Sequence, residues 1–435
     1  MNREQLKKSV CAAIDDRRDD IIGIAKRMNG HPELGYKETR TAALVKKELA
    51  ALGLPVREGL AVTGVDGSLA CRAPGPTVVV MGELDSVVGR DAPGADPATG
   101  AAHLCGHHIQ IACMLGAAMG LSASGFAAQA AGRVRFLAAP AEEYLEIEYR
   151  LGLKDQGKIA FLGGKPELIK LGYFDDADMA MMVHSFPNAP EPGFYLDARG
   201  NGFIAKSVRY EGKPAHAGAA PHEGINALNA ACLGILAIHA QRETFPDQDA
   251  IRVHPIITKG GDMVNIVPAE VRLETYVRGR TVKAILDASA KVDRALRAGG
   301  DAVGAATHIR TIPGYLPLEQ DPNLNDLARA NGRALLGERG ALDAGFLGGS
   351  FDVGDLAQLI PVLHPCVGGA KGSLHTAQFE VVDYEAAAVL PAKLMAMCVV
   401  DLLADDAREA RRVKAAYKPN MTKAEYLKMM AGLEG

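Results

Sequence analysis

The residues in this chain best suited to chemistry are a cysteine, several histidines and paired carboxylates, and several of these sets directly follow a short apolar run. After TVVVM comes GELDS, with Asp85. A glycine-rich stretch then leads to HLCGHH, with His103, Cys105, His107 and His108. VRFLAAP is followed by Glu142 and Glu143, MAMMV by His184, and a late LHTAQF carries His375. One thiolate, several imidazoles and a carboxylate pair offer the convergent lone pairs that a divalent ion needs. A lone Cys-x-His reads more readily as a buried cysteine beside an exposed histidine. The whole constellation does not.

The glutamate pair suggests a division of labour. One carboxylate holds metal while its neighbour faces a water whose pKa the metal brings from about 15.7 towards 7. The free carboxylate then takes a proton and passes it to a leaving nitrogen. Asp85 suits the support of a ligand histidine, whose second N–H it would accept. The competing readings are a helix-opening Glu-Glu and a turn aspartate.

These groups need a scaffold that gathers strand ends. Thr77 to Met81, Val134 to Ala138 and Met179 to Val183 read as fully buried strands separated by helical pattern. That predicts an α/β fold with a mostly parallel sheet flanked by helices, whose strand ends bind ligand. Two helices are expected between Gln5 and Leu52, interrupted by HPELGYKE, with Gly53 ending the second. Near Tyr195 the texture changes to alternating strands, as in Val271, Leu273, Thr275 and Val277, with helices near 226–243 and 281–298. The expected organisation is a catalytic domain in two parts, 1–195 and 313–435. An inserted two-layer domain occupies 196–312.

At 435 residues the chain is long enough for two domains. A net charge of −4 gives no support for nucleic acid as a partner. The longest apolar run, around Ile111 to Leu121, falls short of the roughly 20 residues that span a bilayer, so no membrane is expected. The N-terminal sequence is charged throughout and lacks a secretory signal's apolar middle, so cytoplasm is the expected compartment. Seven irregularly spaced cysteines do not read as a disulfide framework.

GELDS, HLCGHH, PAEE, GKPAHAGAAPHEGINAL, NIVPAEVRLETYVRG, GGSFDVGD and HTAQF, taken in order, resemble one family. It is the zinc-type metallopeptidase and amidohydrolase family of acetylornithine deacetylase, the aminoacylases and p-aminobenzoyl-glutamate hydrolase, in its branch with a cysteine ligand. The resemblance runs from about His31 to Asp401. It implies a lid domain that also forms a homodimer, and one or two divalent ions, with zinc, manganese and cobalt all compatible. Matched position by position, Cys105 bridges two metals, His107 and Glu143 hold one, and His184 and His375 hold the other. Glu142 matches the general base and Asp85 the support of His107. His216 matches a lid histidine that reaches the partner's site and stabilises an oxyanion. Asn265 and Arg278 match lid residues near the substrate. Arg278 reads equally as a carboxylate clamp and as an exposed strand arginine in an ion pair.

The chain departs from that family in four places. The connection between GELDS and HLCGHH is long, with Arg90, Asp91 and Asp96. Tyr144, Glu146, Glu148, Tyr149 and Arg150 replace glycine-rich sequence after the glutamate pair. Phe351 replaces a small residue, and His108 an acidic or amide one. Tyr144, Tyr149 and Phe351 suggest stacking groups, and Arg90, Arg150 and Arg278 suggest anion partners. The expected activity is metal-dependent hydrolysis of an amide in a small, carboxylate-bearing and aromatic substrate. The alternative is hydrolytic deamination of an aromatic amine such as 5-nitroanthranilate, releasing ammonia. A non-catalytic binding protein and a cysteine-nucleophile enzyme using Cys105 and His107 are further readings. Chelation separates the last from the first.

Overall fold

The computed structural model describes residues 1–433. The chain divides into two compact units. The first comprises Met1–Arg199, Glu319–Leu347 and Asp355–Asn420. The second comprises Gly200–Leu318, Gly348–Gly354 and the residues from Met421 onward. The sequence reading gave those last two segments to the returning catalytic half. The 348–354 loop and the helix Lys423–Gly432 instead pack within the second unit.

The first unit is built on a six-stranded sheet. Its order is Val56–Leu60, Gly64–Ala70, Ala131–Ala139, Ala73–Glu83, Met179–Met181 and Val362–Leu363. The first two pairings are antiparallel and the remaining three parallel. The parallel strands are the expected buried runs. Val78, Val79, Val80 and Met81 are buried, as are Val134, Phe136 and Leu137. Strands covered on both faces lose the alternation seen in half-exposed sheets.

The N-terminal segment forms three helices rather than two: Arg3–Asp15, Arg18–Asn29 and Thr39–Ala51. Apolar periodicity runs on through Ile14 and Ile21, so it hides the break at Asp16 and Arg17. Arg17 leaves helical geometry there, at φ −109° and ψ 13°. The longest apolar helix is not at Ile111. Among the described residues, Glu385–Ala416 is by length and composition apolar enough to cross a membrane, but it is kinked at 404–407 and its apolar stretch is mostly buried. It packs against the helices Arg3–Asp15 and His107–Ala123 as a core element.

The second unit carries an antiparallel sheet in the order Arg252–Val253, Glu270–Gly279, Gly202–Glu211 and Ala306–Pro313, with Ile256–Lys259 also on Glu270–Gly279. Val271, Leu273, Thr275 and Val277 are buried, as the alternation predicted. Helices Ala227–Ala240 and Val282–Asp301 pack on each other and on this sheet. Asn226 and Thr281 start them, each accepting backbone N–H bonds with its side chain.

Candidate metal centre

The centre lies in the first unit, where strand ends deliver the reactive groups. The strand Ala73–Glu83 runs into Asp85, which is fully buried. Asp85 Oδ1 and the Asp85 carbonyl both face His107 Nδ1, at 3.1 and 3.0 Å. Asp85 Oδ2 accepts the Glu143 N–H at 2.9 Å. With Nδ1 engaged in this way, His107 turns Nε2 inward.

Cys105 and His107 flank Gly106, which caps the helix His107–Ala123 at φ +93°. A side chain there would put Cβ 2.7 Å from Ser185 Oγ. Ser185 Oγ in turn donates to the Cys105 carbonyl at 2.6 Å. This glycine is required both for its left-handed backbone and for its close neighbour. His184 Nδ1–H donates to the Ser185 carbonyl at 2.8 Å, and Nε2 lies 3.5 Å from Cys105 Sγ.

The strand Ala131–Ala139 ends at Pro140, and Ala141 then adopts φ +51°. Several bonds hold that turn. Ala141 N–H donates to Glu38 Oε1 at 2.8 Å, and its carbonyl accepts from Gly164 N–H at 3.1 Å. Arg150, fully buried, donates to the carbonyls of Leu162 at 2.8 Å and of Glu143. Arg150 is therefore committed to backbone, which overturns its reading as an anion partner for substrate. Tyr149 is exposed beside the Lys37 ammonium, 4.1 Å from the ring centroid, whereas Tyr144 is buried. His375 sits at φ +61°, a sparsely populated region for a non-glycine residue. Its N–H donates to the Leu104 carbonyl at 2.9 Å. Its Nε2 lies 3.1 Å from Glu143 Oε1.

Among the described residues, three sets of donor atoms lie close enough to share an ion. They are Cys105 with His107 and His184, Cys105 with Glu143 and His375, and Glu83 with His107 and Glu142. Cys105 belongs to two of them, which suits a bridging position. The pairing differs from the sequence expectation, because His107 groups with His184 and Glu143 with His375. Glu142 Oε2 is 3.7 Å from His107 Nε2. Glu83 and its partner Lys165 were missed in the sequence. A glutamate in GELDS and a lysine opening a helix carry no signal of burial by themselves.

The electrostatics describe a site that attracts cations. Burial and Glu143 push the Cys105 thiol up, but His184 and hydrogen bonds from His107 and His184 outweigh them and bring it down to about 6. Burial works against a charged His375, yet bonds to Cys105 and Glu143 raise it to about 11. Burial likewise opposes a charged His107, and Glu83 and Asp85 override it. Protons on these imidazoles balance Cys105, Glu83 and Glu143, the field that would otherwise hold divalent ions. Glu83 Oε2 lies 3.2 Å from His107 Nε2 and Glu143 Oε1 lies 3.1 Å from His375 Nε2, so these donor atoms crowd together. That is the donor chemistry of a metal centre, and the residues fit one.

His103 and His108 do not join it. They face each other, ring centroids 5.1 Å apart, and line a separate cavity with Tyr384, Asn29 and Gln378. The lid residues lie in the second unit. His216 Nδ1 accepts the N–H groups of Gly218 and Ala219 at 3.2 and 3.0 Å, so its other nitrogen carries the hydrogen. Asn265 is adjacent, its carbonyl accepting from Ala217 N–H at 2.9 Å. Arg278 bonds His254 Nε2 at 3.2 Å and Ser350 Oγ at 2.7 Å, over the rings of Phe203 and Tyr276. Phe351 also belongs to this unit, and Arg90 is an exposed residue of the first.

Comparison with known proteins matches residues 201–301 to the peptidase dimerisation domain. The human Xaa-Arg dipeptidase is 30% identical over 316 residues, covering 71% of this chain and 68% of the relative. The chain belongs to the M20 family of metal-dependent peptidases and amidohydrolases. The mouse Xaa-Arg dipeptidase is 28% identical over 92% of this chain and 89% of its own length. The N-acetyl-L-cysteine deacetylase of Bacillus subtilis is 29% identical over 59% of each chain. Among solved structures, a dinuclear metal-binding M20 peptidase from Bacillus subtilis superposes at TM-score 0.65. It is 20% identical over 89% of this chain and 99% of that one. The Klebsiella pneumoniae aminobenzoyl-glutamate utilization protein superposes at 0.67, with 19% identity over 89% and 97%. These two show the M20 fold. Aromatic deamination finds no support in these relatives.

Proposed function

We propose that this protein hydrolyses the amide bond of a small, carboxylate-bearing substrate of dipeptide or N-acyl amino acid type. The observation that carries the reading is Cys105 shared between the His107–His184 and Glu143–His375 sets, with Glu142 beside them. Relatives named as a dipeptidase and a deacetylase support the substrate class. Cys105, His107, His184, Glu143 and His375 would hold one or two divalent ions. Bound there, the ions supply Lewis acidity to the water and to the scissile carbonyl.

The chain's own residues do the rest. Glu142 accepts a proton from the attacking water as its oxygen adds to the carbonyl carbon. The C–N bond then breaks, and Glu142 returns that proton to the departing nitrogen. Asp85 keeps the tautomer of His107 fixed and anchors the Glu143 backbone. In the homodimer that the dimerisation domain suggests, His216 offers its outward N–H to the oxyanion of the partner's site. Arg278, with its guanidinium oriented by His254 and Ser350, binds the substrate carboxylate.

The test is to chelate the purified protein, restore zinc or manganese, and follow products from dipeptides, N-acyl amino acids and p-aminobenzoyl-glutamate by mass spectrometry. Activity should vanish on chelation, return with metal, and yield an acid and an amine. Activity indifferent to chelation, or ammonia as the only amine product, overturns the reading.

A further inference from the structure

Glu83 ends the strand Ala73–Glu83 inside the protein, 2% exposed, with its N–H donated to Gln110 Oε1 at 3.2 Å. Its two carboxylate oxygens have different surroundings. Oε1 accepts from Lys165 Nζ at 2.5 Å. Oε2 makes no other polar contact and lies 3.2 Å from His107 Nε2 as an ion pair. Glu83, His107 and Glu142 each bring one donor atom within 4.8 Å of the other two, a set of donors able to share one ion. Two donors bound to one ion at about 2.1 Å sit roughly 3 to 3.5 Å apart. The Glu83–His107 spacing falls within that range.

Lys165 is placed with equal definition. It is fully buried in the first turn of the helix Gly164–Lys170. That helix meets the turn bearing the glutamate pair so closely that a Cβ on Gly164 would sit 1.7 Å from the Pro140 carbonyl oxygen. The lysine is thus anchored to the same turn as Glu142 and Glu143. A buried ammonium needs a buried anion. Glu83 meets that need with one oxygen and keeps the other directed at His107.

We propose that Glu83 is a sixth protein donor to the metal centre, on the His107 side, and that Lys165 is the residue that positions it. The inference rests on the metal-centre reading above. It adds a carboxylate to a side otherwise made of Cys105, His107 and His184, and Lys165 neutralises the added charge. An oxygen donor of this kind widens the site's tolerance from zinc towards manganese.

The experiment compares the full-length protein with Glu83→Gln, Lys165→Met and the double variant. The double variant removes both members of the buried pair and leaves no uncompensated charge. Metal-free proteins are titrated with zinc by calorimetry, and their cobalt forms are followed by visible absorption. Glu83→Gln and the double variant should bind one zinc per protomer at least tenfold more weakly, with an altered cobalt spectrum. Lys165→Met should show a smaller loss. If the double variant keeps wild-type circular dichroism, zinc affinity and cobalt spectrum, Glu83 is only the counter-ion of Lys165 and the proposal fails. If the double variant does not fold, Glu83→Gln decides by the same readings. Wild-type protein that binds no zinc or cobalt overturns the metal-centre reading itself, an outcome distinct from a silent Glu83.

Discussion

Asp85 and His107 are joined twice, through the Asp85 side chain at 3.1 Å and its carbonyl at 3.0 Å, while the aspartate's other oxygen holds the Glu143 N–H. One residue therefore sets the orientation of donors in both metal sets. Asp85→Asn keeps the size but reverses one hydrogen-bond polarity at His107 or at Glu143. It should weaken metal binding by about 10- to 100-fold. Competition with a chelator of known affinity measures this. Unchanged affinity would show that Asp85 is a turn residue only.

Cys105 should be a thiolate at neutral pH in the metal-free protein, since its pKa is brought down to about 6. Its proton is taken up as pH falls through that value, so metal affinity should drop in the same range. Thiolate absorbance in the ultraviolet should show one titration near pH 6 that Cys105→Ala removes. Burial alone would have raised a thiol, as it does for Cys71, pushed up to about 11.

The parts of the centre legible in the sequence were those in which residue type and position agree. Asp85, Glu142, Glu143 and His184 each follow a buried strand of the parallel part of the sheet, where strand ends converge, and Cys105 and His107 flank the glycine that caps the next helix. Other parts were not legible. Arg150 looked like a pocket cation because the sequence cannot show that its guanidinium is consumed by carbonyls. Glu83 and Lys165 are 82 residues apart and meet only in three dimensions. His108 follows His107 directly, yet helix geometry turns neighbours to different sides. The pairing of His107 with His184 follows from side-chain directions, which motif order does not encode.

Arg150→Ala tests whether that guanidinium is committed to backbone. Removing a buried guanidinium leaves carbonyls of the glutamate turn unpaired and should cost about 3 kcal/mol or more. Thermal unfolding should drop by several degrees, and kcat should fall with the distorted turn. A raised KM at unchanged melting temperature would restore Arg150 as a substrate-binding group.

Glu38 links the motif HPELGYKE to stability. It is fully buried, and burial, reinforced by the Asp85 charge, raises it from its ordinary value of 4.5 to about 7. The folded form therefore holds a proton that the unfolded chain releases between those values. Stability from this group is complete below about pH 4.5, declines as pH rises, and is lost above about 7, a loss of about 3 kcal/mol. Glu38→Gln cannot ionise. The melting temperature of the variant relative to wild type should rise steadily from pH 4.5 to 8. A gap that stays constant with pH would show that Glu38 is ionised throughout.

His216 supplies the last test, because its Nδ1 is occupied by two backbone N–H groups and only the other nitrogen is left to donate. If that donor serves the partner's site, each site of a symmetric dimer takes Glu142 from one chain and His216 from the other. Glu142→Ala and His216→Ala homodimers should then both be nearly inactive. Unfolding and refolding the two variants together makes heterodimers in which one site carries both changes and the other carries neither. Random pairing should restore roughly a quarter of wild-type activity. Recovery on mixing, with each variant folded and metal-loaded, places the donor in trans. No recovery, with mixed dimers demonstrated by mass, would place it in cis or outside the mechanism.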